Sequence, residues 1–139
     1  MKVFLYYVGK PKDPHANAIA ADYIQRANRF APSQMAEIRP ERTDLWSKHP
    51  TARKILLDPL GRALDSAAFA DLIANAEMRS HDLVFMVGGH DGLPEAWRDR
   101  ADLLVSLSAM TMPHELARAV LAEQIYRAFT MLRGHPYPR

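Results

Sequence analysis

The chain has 139 residues, of which 48% are hydrophobic and 24% are charged, a balance typical of one globular domain. It contains no cysteine, which excludes disulfides, thiolate metal sites and cysteine nucleophiles. The formal net charge of +2 permits an anionic partner such as RNA without requiring one. No apolar run approaches the roughly 18 residues of a membrane span, and the apolar start at 3–8 lacks a signal cleavage site. We therefore expect a cytoplasmic protein.

The first part of the chain alternates apolar runs with helical patterns. Residues 2–8 are aromatic and β-branched, which predicts a strand buried on both faces. Asp13 and Pro14 predict the N-cap and first residue of a helix that extends to Pro32. A short second strand is predicted at 35–39. The polar stretch that follows, 40–53, predicts a loop with one helical turn around 44–48.

The second part continues the alternation, which sets the fold class. Predicted elements are a third strand at 54–58 closed by Pro59 and Gly61, a helix over 67–79 capped by Ser66, a fourth strand at 83–87, a short helix at 94–101, a fifth strand at 103–105, and a last helix from Pro113 to Gly134. Strands that alternate with helices predict an α/β fold: a mostly parallel sheet with helices on both faces, in a single domain of residues 1–139.

Two of the predicted strands end in loops suited to a ligand. The fourth strand ends in Gly88, Gly89 and Gly92, and the fifth feeds the small and apolar residues 106–112. Ligands in open parallel sheets bind beyond the carboxyl ends of strands, and glycine lets a ligand approach the backbone closely. The glycine spacing matches neither GxGxxG nor GxxxxGK[ST], so the residues alone name no ligand, and an ordinary tight turn remains an equal alternative.

Other chemistry has weaker support in the sequence. Ser108 lies in no GxSxG elbow, so a serine hydrolase is disfavoured. The six histidines are scattered and none of them forms a pair with metal-ligand spacing, so we expect no metal. The last helix and the tail carry four arginines against two glutamates, which predicts a locally positive end. Those arginines are Arg118, Arg127, Arg133 and Arg139.

Three motifs resemble the RlmH family of small SPOUT-class rRNA methyltransferases. They are VGGHDGL at 87–93, SLSAMTMPH at 106–114 and AEQIYRAFTMLRGHPY at 122–137, and the segments at 8–10 and 56–58 agree as well. The resemblance covers nearly the whole chain. It implies a SPOUT-type fold with a C-terminal trefoil knot, a homodimer, S-adenosylmethionine bound in the knot, and methyl transfer to N3 of a pseudouridine in the 23S rRNA of the large ribosomal subunit.

The resemblance also implies roles for individual residues. Cofactor contacts would be made by Leu57, Gly88, Leu107, Ser108, Ala109, Met110, Thr111 and Met112. The resemblance further implies that the tail of the partner subunit completes the acceptor site. The catalytic candidates are therefore His114 near the acceptor, and Tyr137 and Arg139 in the tail. The group that accepts the proton of N3 is not identified.

Two departures from the family pattern keep alternatives open. Pro138 stands where relatives commonly have a histidine directly after the tyrosine, and the segment 40–53 is shorter than usual. Proline cannot replace an imidazole. One alternative is therefore a non-catalytic ribosome- or nucleotide-binding module of the same fold. Another is a methyltransferase acting on a different RNA, such as tRNA.

Overall fold

The computed structural model describes residues 1–137 and contains ten elements in the predicted order. They are β1 (Val3–Val8), α1 (Pro14–Ala27), β2 (Ser33–Ile38), α2 (Leu45–Lys48), β3 (Arg53–Ala63), α3 (Ser66–Met78), β4 (Leu83–Val87), α4 (Glu95–Arg100), β5 (Leu103–Ser106) and α5 (His114–Leu132). The predicted α/β architecture is confirmed. Within the described residues, no helix is long and apolar enough to cross a membrane.

The five strands form one sheet in the order β2-β1-β4-β3-β5, and every pairing is parallel. Their register aligns the strand starts, since Leu83 of β4 pairs with Val3 of β1 on one side and Arg53 of β3 on the other. The carboxyl ends of β1, β3, β4 and β5 therefore meet at one edge of the sheet, and their amino ends meet at the opposite edge.

Helices cover both faces of the sheet, but unequally. The long helices α1, α3 and α5 pack on one face, where Leu5, Phe85 and Phe129 are fully or almost fully buried. The short helices α2 and α4 cover the other face, where Met86 and Trp97 belong to a smaller core. Strand side chains alternate between these two cores, so β1 and β4 are buried on both sides, as the sequence predicts for β1.

β3 differs from the prediction, because Pro59 and Gly61 do not end it. The strand pairs with β5 up to Leu57, bulges outward, and pairs again from Arg62. Gly61 lies so close to β5 that an added Cβ would stand 2.6 Å from the carbonyl carbon of Leu104. The motif therefore marks a bulge inside a strand, and only glycine allows this approach.

The helix caps confirm one prediction and correct another. Asp13 caps α1 by accepting from the amides of His15 and Ala16. At α3 the cap is Asp65, which accepts from Ala68, and the prediction of Ser66 is wrong by one residue. Ser66 instead donates its hydroxyl to Gln124 of α5 at 2.8 Å. This contact ties two long helices together.

The loop at 40–53 contains the single helical turn that the sequence predicts. Asp44 caps it by accepting from the amides of Trp46 and Ser47, which are 3.0 and 3.3 Å from one carboxylate oxygen. Leu45 of this turn is fully buried against the smaller core. One buried leucine thus anchors an otherwise polar segment.

Candidate active site

A cavity of about 330 Å³ lies at the carboxyl edge of the sheet. It is bordered by the bulge of β3, by the loops after β4 and β5, and by the start of α5. All eight residues proposed to contact the cofactor line it: Leu57, Gly88, Leu107, Ser108, Ala109, Met110, Thr111 and Met112. Three segments far apart in sequence therefore contribute to one site, as expected at the carboxyl edge of a parallel sheet.

The glycine cluster forms one wall of the cavity and is also a tight turn. The amide of Gly92 donates to the carbonyl oxygen of Gly89 at 3.0 Å, and Gly92 has a φ of +76°. A Cβ on Gly88 would stand 2.9 Å from the Cα of Gly92, and one on Gly89 would stand 3.0 Å from the oxygen of Val8. The turn and pocket interpretations therefore both hold.

The opposite wall is the segment after β5, whose serines stabilise its shape. Ser106 donates its hydroxyl to the carbonyl oxygen of Ser108 at 3.0 Å, and the hydroxyl of Ser108 accepts from the amide of Met110 at 3.0 Å. Within the described residues neither hydroxyl bonds to a base, so the arrangement lacks an activated nucleophile. The serines organise the loop backbone.

The charges around the cavity are sparse. Asp58 lines it, but its carboxylate faces Arg98 at 3.5 Å and accepts from the amide of Leu60. His114, a catalytic candidate, lines the cavity at the first residue of α5. Among the described residues, neither lysine nor arginine lines the cavity, so a cationic ligand would meet no like charge there.

Glu115 holds the start of α5 against the loop after β1. One of its carboxylate oxygens accepts from the amides of Lys12 and Asp13 at 2.6 and 3.1 Å and from the side-chain amide of Asn17 at 2.9 Å. These bonds stabilise the ionised form and lower the pKa of Glu115 to about 2. The carboxylate thus joins the loop before α1 to the helix that flanks the cavity.

Arg118, one turn along α5, is completely buried. Its guanidinium carbon lies 3.6 Å from the ring centroid of Tyr7, and it donates to the side-chain oxygen of Asn17. Burial lowers the pKa of Arg118, while Tyr7, Glu115 and Glu37 oppose the shift. In residues 1–137 its Nε and one terminal nitrogen have no hydrogen-bond partner. A buried charge with two free donors depends on its cation–π contact.

Tyr137 lies outside the cavity of its own chain. Its hydroxyl donates to Glu123 of α5 at 2.9 Å and lies 3.0 Å from the hydroxyl of Tyr23 of α1. Burial raises the pKa of Tyr137 well above its usual range, and the contacts with Tyr23 and Glu123 raise it further. Arg139, the other tail candidate, and Pro138 fall outside the described residues.

The expectation of a positive end around the last helix is wrong for the arginines that the structure describes. Arg118 is buried, Arg127 pairs with Glu123 at 2.8 Å and Arg133 pairs with Glu77 at 2.5 Å. Spacing along one helix could reveal the i, i+4 pair, but it could not reveal Glu77, which belongs to α3. Counting charged residues along the last helix therefore overestimated the positive charge that it exposes.

Some residues of the cavity were missed from the sequence. Asp58, His90 and Ala117 line it. The LLD segment and the glycine motif pointed to the first two, since Asp58 follows Leu57 directly and His90 lies two residues after Gly88. Ala117 carried no signal, because its role depends on how α5 packs beside the loops.

The comparison with family models matches residues 1–138 to "Predicted SPOUT methyltransferase". Among curated proteins, the chain is 71% identical over 139 residues to "Ribosomal RNA large subunit methyltransferase H" of Solibacter usitatus, with both chains fully covered. It is 39% identical over 140 residues to a protein of that name from Thermus thermophilus, covering 100% of this chain and 99% of that one.

Solved structures share the fold at low sequence identity. A probable methyltransferase from Bordetella pertussis Tohama I matches with a TM-score of 0.65 and 14% identity, over 91% of this chain and 95% of that one. The SpoU methyltransferase AviRb from Streptomyces viridochromogenes, in complex with the cofactor AdoMet, matches with a TM-score of 0.51 and 14% identity, over 91% and 59%. With a family model that spans almost all of its length and a full-length relative at 71% identity, the chain belongs to the SPOUT methyltransferase family.

Proposed function

We propose that this protein is an S-adenosylmethionine-dependent methyltransferase that modifies N3 of a pseudouridine in the 23S rRNA of the large ribosomal subunit. The name of the 71% identical relative supports an rRNA substrate. The choice of pseudouridine N3 rests on the resemblance of the loop motifs. We further propose that the whole chain acts as one domain in the cytoplasm, where ribosomes are found.

The observation that carries this proposal is the meeting of Leu57, Gly88 and the segment 107–112 in one cavity. The cavity suits the donor because leucine and methionine side chains provide an apolar slot for a flat adenine. Backbone groups of the glycine turn lie at its border, where they can reach the edges of the base. Among the described residues, the absence of lysine and arginine from the lining also suits a positively charged sulfonium.

S-adenosylmethionine supplies an electrophilic methyl group, so the protein's main task is to align the acceptor with it. The two walls of the cavity hold the donor and exclude water from its buried side. The acceptor N3 carries a proton, so a group must remove it during or before attack. His114 lines the cavity and is the candidate of this chain for receiving that proton.

We propose that the acceptor side is completed in a homodimer by the partner subunit's tail. Tyr137 is bound to Tyr23 and Glu123 of its own chain, outside the cavity, which leaves room for a tail from another copy. The raised pKa of Tyr137 favours the protonated phenol, which donates to Glu123, so Tyr137 is not the base. The trefoil knot belongs to this same proposal and rests on the resemblance.

Incubation with large ribosomal subunits and S-adenosylmethionine labelled in its methyl group tests the activity. We expect label in the 23S rRNA, at a single pseudouridine, as mapped by nuclease digestion and mass spectrometry. His114→Ala should lower the rate by a larger factor than it lowers cofactor affinity, whereas His15→Ala, at an exposed histidine on α1, should leave the rate unchanged.

The alternatives give different results in the same assay. Label in tRNA and none in the large subunit would support a different RNA substrate. Cofactor binding without label in any RNA would support the non-catalytic module, an alternative that Pro138 motivates.

A further inference from the structure

A second cavity, larger than the first, lies at the amino edge of the sheet. Its volume is about 550 Å³, and it is formed by the starts of β3 and β5, the turn α2, and the ends of α3 and α4. Residues from Arg53 to Leu57 of β3 separate the two edges, roughly 13 Å at about 3.3 Å per residue. The two cavities therefore open at opposite ends of the same strands.

The amino-edge cavity is strongly cationic. Four basic side chains line it, Arg53, Lys54, Arg79 and Arg100, against one carboxylate, Asp102. That carboxylate already accepts from the backbone amide of Lys54 at 2.7 Å. Among residues 1–137, none of the four cations forms an ion pair within 4 Å. Positive charge therefore exceeds negative charge in the lining of the cavity.

The burial of Lys54 makes the excess positive charge of the cavity energetically unfavourable. Only 2% of the residue is exposed, and its ammonium group donates to the carbonyl oxygen of His49. A buried ammonium that faces a neutral oxygen and has no ion-pair partner is costly, because it has lost most of its hydration. An anion that enters the cavity would offset that cost. The cavity is therefore matched to negative charge.

An aromatic surface accompanies these cations. The guanidinium carbon of Arg100 lies 4.5 Å from the ring centroid of Trp46, which also lines the cavity. Trp46 in turn packs edge-on against Trp97 at 5.7 Å, which holds its ring in place. Exposed arginine stacked on a fixed aromatic ring is a combination that contacts both the phosphates and the bases of RNA.

We propose that the amino-edge cavity binds the phosphate backbone of the rRNA substrate, through Arg53, Arg79 and Arg100 above the buried Lys54. The inference rests on the proposed action on rRNA and adds a second contact region, distant from the cavity where methyl transfer takes place. Phosphate contacts position an RNA without reading its sequence, so these residues set affinity and orientation. A small free anion shares the chemistry but would use only part of the cavity.

The test measures the affinity of large ribosomal subunits for the protein at salt concentrations between about 50 and 200 mM. The double variant Arg79→Ala/Arg100→Ala should bind at least about tenfold more weakly. Its log–log salt dependence should be shallower by about 1.5, since each lost phosphate contact removes about 0.7–0.9 from the slope. The variant Arg79→Lys/Arg100→Lys should recover most of the slope.

A matched control separates the cavity from overall charge. Arg29→Ala/Arg42→Ala also removes two exposed arginines, but outside the cavity, and should bind like the wild type. An equal loss of affinity in this control would overturn the proposal, because binding would then follow net charge alone. Unchanged S-adenosylmethionine affinity in every variant shows that each one is folded.

The remaining outcomes keep this inference separate from the proposed function. If the wild type binds rRNA but transfers no methyl group, the proposed activity is refuted. Weaker rRNA binding by Arg79→Ala/Arg100→Ala would in that case still support the amino-edge cavity as an RNA-binding site. If Arg79→Ala/Arg100→Ala methylates and binds rRNA like the wild type, the RNA-binding role of the amino-edge cavity is overturned and the proposed activity is not. The cavity proposal would also be overturned if inorganic phosphate saturated the cavity while the substitutions left rRNA binding unchanged. Binding of phosphate is monitored by nuclear magnetic resonance of the backbone amides of Lys54 and Asp102.

Discussion

The two edges of the sheet are built from the same strands and present opposite chemistry. The carboxyl edge carries a cavity of about 330 Å³ whose walls are apolar side chains and glycine backbone. The amino edge carries a cavity of about 550 Å³ with four basic side chains. Strand ends determine the position of a site, while the residues that follow or precede each strand determine its chemistry. A parallel sheet can therefore separate a cofactor from a polyanion.

The largest expected effect is at the carboxyl edge. Leu57→Arg places a long cationic side chain in the cavity proposed for the methyl donor, so we expect S-adenosylmethionine affinity to fall about 100-fold, which is about 2.7 kcal/mol. Isothermal titration calorimetry measures it. Leu60→Arg is the matched control, because Leu60 lies on the same strand but is 93% exposed. Equal affinities in the two variants would contradict the placement of the donor.

If Leu57→Arg proves too unstable to titrate, Leu57→Ala provides the milder case. It removes apolar lining without adding charge, so affinity should fall about tenfold. The amino-edge variant Arg79→Ala/Arg100→Ala should leave this affinity unchanged. A loss there would show that the two edges are coupled.

Gly61→Ala tests the bulge that shapes the carboxyl edge. An added Cβ would stand 2.6 Å from backbone atoms of β5, so the strands must separate. We expect the free energy of unfolding to fall by at least about 2 kcal/mol, measured by urea denaturation. Gly92→Ala, where a Cβ meets nothing within 4 Å but φ is +76°, should cost about 1 kcal/mol. A larger loss of unfolding free energy in Gly92→Ala than in Gly61→Ala would mean that β5 can move away from Gly61 at little cost.

Glu115→Gln tests the bonds that hold α5 beside the carboxyl-edge cavity. The pKa of Glu115 is lowered to about 2 from an ordinary value of 4.5, so its ionised form stabilises the fold fully above about pH 4.5. That contribution is lost as the pH falls toward 2. The urea midpoint of the wild type should therefore exceed that of Glu115→Gln at neutral pH, and the gap should close between about pH 5 and 2.

The exposed Glu41→Gln is the control for that series, since it removes one carboxylate without removing such bonds. A gap for Glu115→Gln that stays constant down to pH 2 would refute the role of its ionised carboxylate.

The smallest effect concerns the end of α3, beside the amino-edge cavity. Ser80 has a φ of +55°, and the amides of Ser80 and His81 donate to Glu77 and Ala76. The end of α5 has the same bonding pattern, with Gly134 at the equivalent position. Ser80→Gly should therefore stabilise the protein by about 0.5–1 kcal/mol in urea denaturation. Ser33→Gly, in a β-strand, should do the opposite.

Several elements follow directly from local sequence. The apolar runs at β1 and β4 predict buried parallel strands, and Asp13 before Pro14 predicts the start of α1 correctly. The cap of α3 was misplaced by one residue, because serine and aspartate at adjacent positions are both good caps. Pro59 and Gly61 were misinterpreted as a strand end, because local signals for a bulge and for a turn are the same.

What the sequence by itself determined is the alternation of strands and helices, the two loops that border the carboxyl-edge cavity, and the family that their motifs indicate. These follow because periodicity, caps and glycine placement act within a few residues. The tertiary structure alone decided which side chains meet. It buried Arg118 against Tyr7, paired Arg133 with Glu77, and gathered the cations around Lys54 at the amino edge. Such contacts join residues that are far apart along the chain, and electrostatic energy depends on distance in space, which no local pattern encodes.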